Sequence, residues 1–142
     1  MKPVSELLRN REGACWHVRP QDSVFAALEV LSRHEVGALM VMEGDRLVGI
    51  FSERDYTRKI ALQGRNSKET LVSEIMTPNV ITVLPSTGTR ECMTLMSEKR
   101  IRHLPVLEGG TVQGMISIRD LMNDIIAEHE ETIAQLENYI HS

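Results

Sequence analysis

The sequence has 142 residues, 42% hydrophobic and 25% charged, with a formal net charge of −4 at pH 7 and a pI near 5.7. The high apolar content and small net charge exclude a disordered chain, and the acidic balance argues against a broad nucleic-acid surface. No apolar run approaches the roughly 18 residues that span a bilayer, and residues 1–6 lack a signal-peptide core. Cys15 and Cys92 have no CxxC spacing and are expected as free thiols in a reducing cytoplasm.

The chain opens with a short segment, Val4-Ser5-Glu6-Leu7-Leu8. An apolar strand is expected over 14–18, running into Pro20, which suits the approach to a helix. The helix spans about 23–34 by its pattern, with Val24, Ala27, Leu28 and Leu31 at the i, i+3, i+4, i+7 positions of one face. Two strands follow, over 38–42 and 46–51, joined by the turn Glu43-Gly44-Asp45, which is the hairpin signal. A further helix begins at Ser52. The same elements then recur. Val72-Ser73-Glu74-Ile75-Met76 echoes the opening segment, and a strand over 80–83 runs into Pro85. A helix over 88–99 follows, and strands over 104–107 and 111–116 flank Glu108-Gly109-Gly110. A last helix starts at Ser117 and has no Pro or Gly to stop it before about Ile140.

The recurrence is a true internal repeat. A shift of 65 residues aligns 18–56 with 83–121 without a gap, and 11 of the 39 pairs are identical. The identities sit where structure or chemistry is concentrated: Val18/Val83 and Pro20/Pro85, Gly44/Gly109 and Gly49/Gly114, then Ser52/Ser117, Arg54/Arg119 and Asp55/Asp120. The order β-α-β-β-α, taken twice, predicts an α+β module.

Three motifs carry a resemblance to a known family. They are the openings Val18-Arg19-Pro20 and Val83-Leu84-Pro85, the strand Arg102-His103-Leu104-Pro105-Val106, and the closing motif Gly-apolar-x-Ser-x-x-Asp. The last occurs twice, ending at Asp55 and at Asp120. The pattern resembles tandem CBS domains (Bateman modules), and more narrowly stand-alone CBS pairs, since little chain is left for a catalytic or target domain. The resemblance implies two repeats packed as an intramolecular pseudo-dimer with an extended C-terminal helix. It divides the chain into 1–68 (repeat 1 with the N-terminal helix), 69–128 (repeat 2) and 129–142 (helix extension). It also implies two clefts between the repeats that take adenosine compounds: AMP, ADP, ATP, NAD(H) or S-adenosylmethionine.

Ser at an N-cap with an acid three residues on is a capping arrangement in its own right. The same geometry suits a ligand, because a carboxylate matches the adjacent hydroxyls of a ribose and a helix start suits phosphate. By resemblance, one cleft is expected to use Gly37, Ser52, Arg54 and Asp55, completed by Thr77, Val80, Ile81 and Ile101. The other is expected to use Trp16, Val36, Ile116, Ser117 and Asp120, with Arg102, His103 and Arg119 facing phosphate. Val36, Val80 and Ile81 are at least as well suited to the core. Trp16 is the only Trp and can stack on a base. The first copy has Gly37-Ala38 where the second has Arg102-His103, so the clefts should be unequal, with Arg54 and Arg58 or Lys59 available as substitutes.

Nothing in the sequence suggests an enzyme. His17, His34, His129 and His141 do not fall at metal-ligand spacings, and no GxSxG or P-loop is present. The expected role is a non-catalytic sensor of energy or redox state in signal transduction, with an unidentified protein target and no membrane. A dimerisation module with vestigial clefts is the alternative. Met122, Ile126, His129, Ile133, Leu136 and Ile140 are spaced 4, 3, 4, 3, 4, an a/d seam, so a homodimer through the CBS faces and this helix is expected.

Overall fold

The computed structural model describes residues 2–9 and 16–141; Ala14 and Cys15 lie outside them. Strand β1 (His17–Val18) leads to α2 (Val24–His34), whose N-cap Ser23 accepts the Ala26 N–H at 3.0 Å. A short helix, α1 (Val4–Arg9), precedes both. Strands β2 (Ala38–Glu43) and β3 (Arg46–Ser52) form the first hairpin, and β1 lies parallel to β2. The chain continues through α3 (Glu53–Tyr56), a π-helical turn (Thr57–Ala61) and α4 (Val72–Ile75). Helix α5 (Thr89–Lys99), hairpin β4 (His103–Glu108) and β5 (Thr111–Ser117), and α6 (Ile118–His141) complete it. The α+β pair expected from the repeat is present.

The 65-residue offset survives as geometry. Ala38 pairs with Ser52 and His103 with Ser117, and each hairpin has a register shift at the same point, after Val41 and after Val106. Gly44, Gly109 and Gly110 supply the positive φ that the two hairpin turns need. One expected strand is curtailed. Residues 80–83 form only a single bridge, Val83 to Val106. In the first repeat the Met40 N–H reaches the Trp16 carbonyl at 3.4 Å, but Met40 is matched by Pro105, which has no N–H to donate.

Two cores result, and the short leading helices are exchanged between them. Val72 and Ile75 of α4 are buried in the first core, with Val18, Val24, Leu31, Leu39, Val41 and Phe51. Val4 of α1 is buried in the second, with Val83, Met96, Leu104, Val106, Ile116 and Leu121. The hydrogen bonds are equivalent in pairs. Val72 N–H and Ser73 N–H donate to the carbonyls of Asp22 and Pro20, while Val4 N–H and Ser5 N–H donate to those of Thr87 and Pro85. The sequence-order division groups α1 with repeat 1, whereas its apolar face packs in repeat 2. Lys2 also pairs with Asp124 of α6 at 3.4 Å.

Cys92 is fully buried in the second core, and its thiol is pushed up to about 11 by burial and by the neighbouring Glu91 charge. Because only the thiolate reacts, Cys92 should resist alkylation at pH 8 in the folded protein and react on unfolding, as mass spectrometry would show. The folded pKa lies above that of the unfolded thiol, so this contribution to stability is intact at neutral pH and falls away from about pH 9 to about pH 11.

Candidate functional site

Each hairpin delivers its chain into a helix through a Ser-x-x-Asp cap. At the first, the Ser52 N–H and Oγ both donate to Asp55 Oδ2 at 3.0 Å, and the Asp55 N–H donates to Ser52 Oγ at 3.2 Å. Asp55 as a whole is 9% exposed. Its other oxygen faces Thr77 Oγ1 at 3.4 Å and Lys59 Nζ at 3.3 Å. Both contacts are long beside those made by Oδ2, so Oδ1 is the oxygen that can exchange partners.

Thr77 reaches Asp55 because the chain after α4 lies against β3. Ile50 and Thr77 exchange backbone hydrogen bonds at 3.0 and 2.9 Å. Gly49 permits this approach, since a Cβ there would stand 2.6 Å from Met76 Sδ and 3.1 Å from the Thr77 carbonyl oxygen. The Met76 side chain can yield, but the carbonyl is fixed by the bridge. Gly49→Ala is therefore expected to cost about 1–3 kcal/mol in a urea titration and to displace Thr77 from Asp55.

The second cap repeats the first. The Ser117 N–H donates to Asp120 Oδ2 at 2.8 Å, and the Asp120 N–H donates to Ser117 Oγ at 3.2 Å. Behind each cap the backbone pattern is also shared: Glu53 N–H donates to the Gly37 carbonyl, and Ile118 N–H to that of Arg102. Arg102 and Arg119 are exposed and His103 is half-buried. The His103 ring lies beside Gly37, 3.6 Å from where a Cβ would stand, so a residue expected in one cleft neighbours a residue expected in the other.

Several other expected residues are also engaged in packing or line a groove. Ile116 is 1% exposed in the second core, leaving only its backbone for a ligand. Ile81 and Ile101 pack on that core, and Val36 packs on the first. Val80 lines an open groove between the two hairpin turns, with Glu43, Asp45, Arg46, Asn79 and Thr82 among its walls. That groove runs from the Arg46 end of β3 to Pro78, the neighbour of the Thr77 that faces Asp55. Trp16 is 39% exposed, with one face covered by the His34 imidazole, whose ring centroid is 3.4 Å away and whose plane is 5° from parallel. A base can use only the other face unless His34 moves.

Two cations of the first cleft, Arg54 and Lys59, are also committed. Arg54 Nη1 donates to the Arg100 carbonyl at 3.2 Å, bridging the repeats, and Lys59 Nζ donates to the Ile75 carbonyl at 2.8 Å while pairing with Asp55. Lys59 is thus a partner of the acid rather than a free phosphate contact. The i,i+4 acid-to-base spacing carries that signal in the sequence. Among the described residues, no group of His, Cys, Asp and Glu is arranged to hold a metal ion.

Two α+β repeats with matching Ser-x-x-Asp caps and exchanged helices define the class: the chain belongs to the CBS domain family, whose model matches residues 14–62 and 72–127. The chain is 39% identical over 96% of its length to the Arabidopsis thaliana mitochondrial protein CBSX3, of which it covers 71%. A solved CBS-domain protein from Burkholderia ambifaria, to which a signal-transduction role is attributed, is 46% identical with a TM-score of 0.86, over 89% of this chain and 95% of that one. A longer Arabidopsis relative, 33% identical over 78% of this chain, is covered for only 20% of its length. Two solved proteins share the fold at lower identity. One, from Pyrobaculum aerophilum, is in complex with AMP (24%, TM-score 0.75). The other, the pair of protein MJ0100, is in complex with 5′-methylthioadenosine and S-adenosyl-L-methionine (22%, TM-score 0.79).

Proposed function

We propose that the chain is a non-catalytic regulatory module that binds an adenine nucleotide (AMP, ADP, ATP or NAD(H)) at the clefts ending on Asp55 and Asp120. It would act as a sensor of energy or redox state in signal transduction. The observation that carries this reading is the pair of caps: in each copy a carboxylate at a helix start is oriented by the backbone N–H of the Ser three residues before it, whose hydroxyl accepts the Asp N–H in return. A ribose diol suits the carboxylate, and the remaining helix-start amides suit phosphate. Arg102, His103 and Arg119 make the Asp120 cleft the better site for a charged ligand. The ligands of the Pyrobaculum and MJ0100 proteins support the adenosine class.

Signalling requires that a ligand favour one arrangement of the repeats over another. Arg54, which ties α3 to the C-terminus of α5, is placed to transmit such a difference to an unidentified protein target. We place the protein in the cytoplasm as a homodimer, with the CBS faces and α6 in contact; a thiol such as Cys92 suits a reducing compartment. No described helix is long and apolar enough to cross a membrane.

The rival reading, a dimerisation module with vestigial clefts, is favoured at the first site by Lys59, which already occupies Asp55. A thermal-shift screen of the four nucleotides and S-adenosylmethionine separates the two. The sensor reading expects a concentration-dependent rise in Tm for at least one nucleotide, whereas no shift with any of them supports the rival.

A further inference from the structure

Helix α6 has two opposed faces. Leu121 and Asp124 are buried against the chain's own repeat, and Ile125 and Glu128 are half-buried beside them. The seam Met122, Ile126, His129, Ile133, Leu136, Ile140 points the other way. Its five apolar members range from 52% to 75% exposed. With Ile126, Ile133 and Ile140 at a positions and Met122, His129 and Leu136 at d, the own-domain contacts Leu121 and Asp124 fall at c and f, opposite the seam. The seam is therefore unobstructed by its own domain from its first residue.

We propose that α6 pairs, parallel and in register, with α6 of a second copy, with His129 forming a polar layer at the centre of the seam. The inference deepens the homodimer stated above and rests on it. Charge placement selects both the occupant and the direction. The e positions are Asn123, Glu130 and Glu137, and the g positions are Ile125, Thr132 and Tyr139. In a parallel pair, Ile125 and Thr132 meet the partner's Glu130 and the partner's Glu137, so no like charges face each other. An antiparallel pair overlapping along the whole seam sets Glu130 against the partner's Glu130, which is repulsive. A polar layer in a narrow apolar seam lowers stability but fixes register, and in the parallel pair alone it matches the two His129 rings.

Sedimentation equilibrium of the full chain, with three variants, tests this. Ile133→Glu places a charge inside the seam and is expected to raise the dimer dissociation constant by about a hundredfold or more. His129→Leu removes the polar layer and is expected to lower it by about tenfold. Ile140→Cys, in a Cys15→Ser background, should cross-link two copies through the introduced thiol on mild oxidation, which an antiparallel pair would not allow. A dimer indifferent to Ile133→Glu, or no cross-link, overturns the helix pairing while leaving a dimer through the CBS faces intact. A monomeric wild type, including one that captures only a cationic helix from another protein, overturns both. Nucleotide binding by Ile133→Glu, followed by calorimetry, separates these failures from failure of the clefts.

Discussion

Ile75→Ala should destabilise the protein by about 2–5 kcal/mol, although Ile75 belongs to a helix of only four residues. Ile75 is 1% exposed and sits among Val72, Leu31, Leu39 and Phe51 in the first core. A four-residue helix has no stability of its own, so α4 is held by that burial and by the backbone bonds from Val72 and Ser73 to Asp22 and Pro20. Because α1 and α4 are exchanged, each core is completed by chain that sequence order gives to the other repeat. Loss at Ile75 is therefore expected to lower one cooperative transition for both repeats. Urea unfolding followed by far-ultraviolet circular dichroism checks it. A separate, earlier transition for the first repeat would show that the exchange does not couple the cores.

Asp120→Asn and Asp55→Asn are expected to weaken nucleotide binding at their own sites by about tenfold to a hundredfold, the scale of one charge-assisted hydrogen bond. Asn keeps a carbonyl oxygen for the Ser N–H, so the cap is largely retained, and the cost falls on the second oxygen and the charge. The sites should respond differently. At Asp55 the substitution also removes the ionic partner of Lys59, leaving only its bond to the Ile75 carbonyl to hold it back from phosphate, so a charged ligand should lose less there than at Asp120. Equal losses at the two sites, measured by calorimetry, would argue against the asymmetry. Tm values of both variants within a few degrees of wild type would tie the loss to the ligand and not to the fold.

Much of the architecture was legible because it is written twice. The hairpins, caps and long helices follow from the 65-residue offset, and the register shifts after Val41 and Val106 fall in the same place in both copies. The exchange of α1 and α4 was not legible, because the two segments are near copies and nothing in either one names the core it joins. The curtailed strand at Val83 was readable in principle from Pro105, which stands where Met40 donates. The Trp16–His34 stack depends on how β1 lies beside the end of α2, a tertiary relation that spacing does not encode. Ile116 is expected at a cleft by resemblance, and the alternation of β5 turns its side chain inward, so any contact it makes there is through its backbone. The π-helical turn at Thr57–Ala61 has no counterpart in α6 and no marker in its residues.

A chain of 142 residues with a slight negative charge gave little indication of a ligand until its halves were compared. The most direct test of the account is isothermal titration of the wild-type protein with AMP, ADP, ATP and NAD(H), each repeated on the Asp55→Asn, Asp120→Asn double variant. Saturable binding of at least one nucleotide to wild type, tighter at one of two unequal sites and lost in the double variant, is the expected result. Absence of binding by all four, or binding unchanged in the double variant, would contradict it.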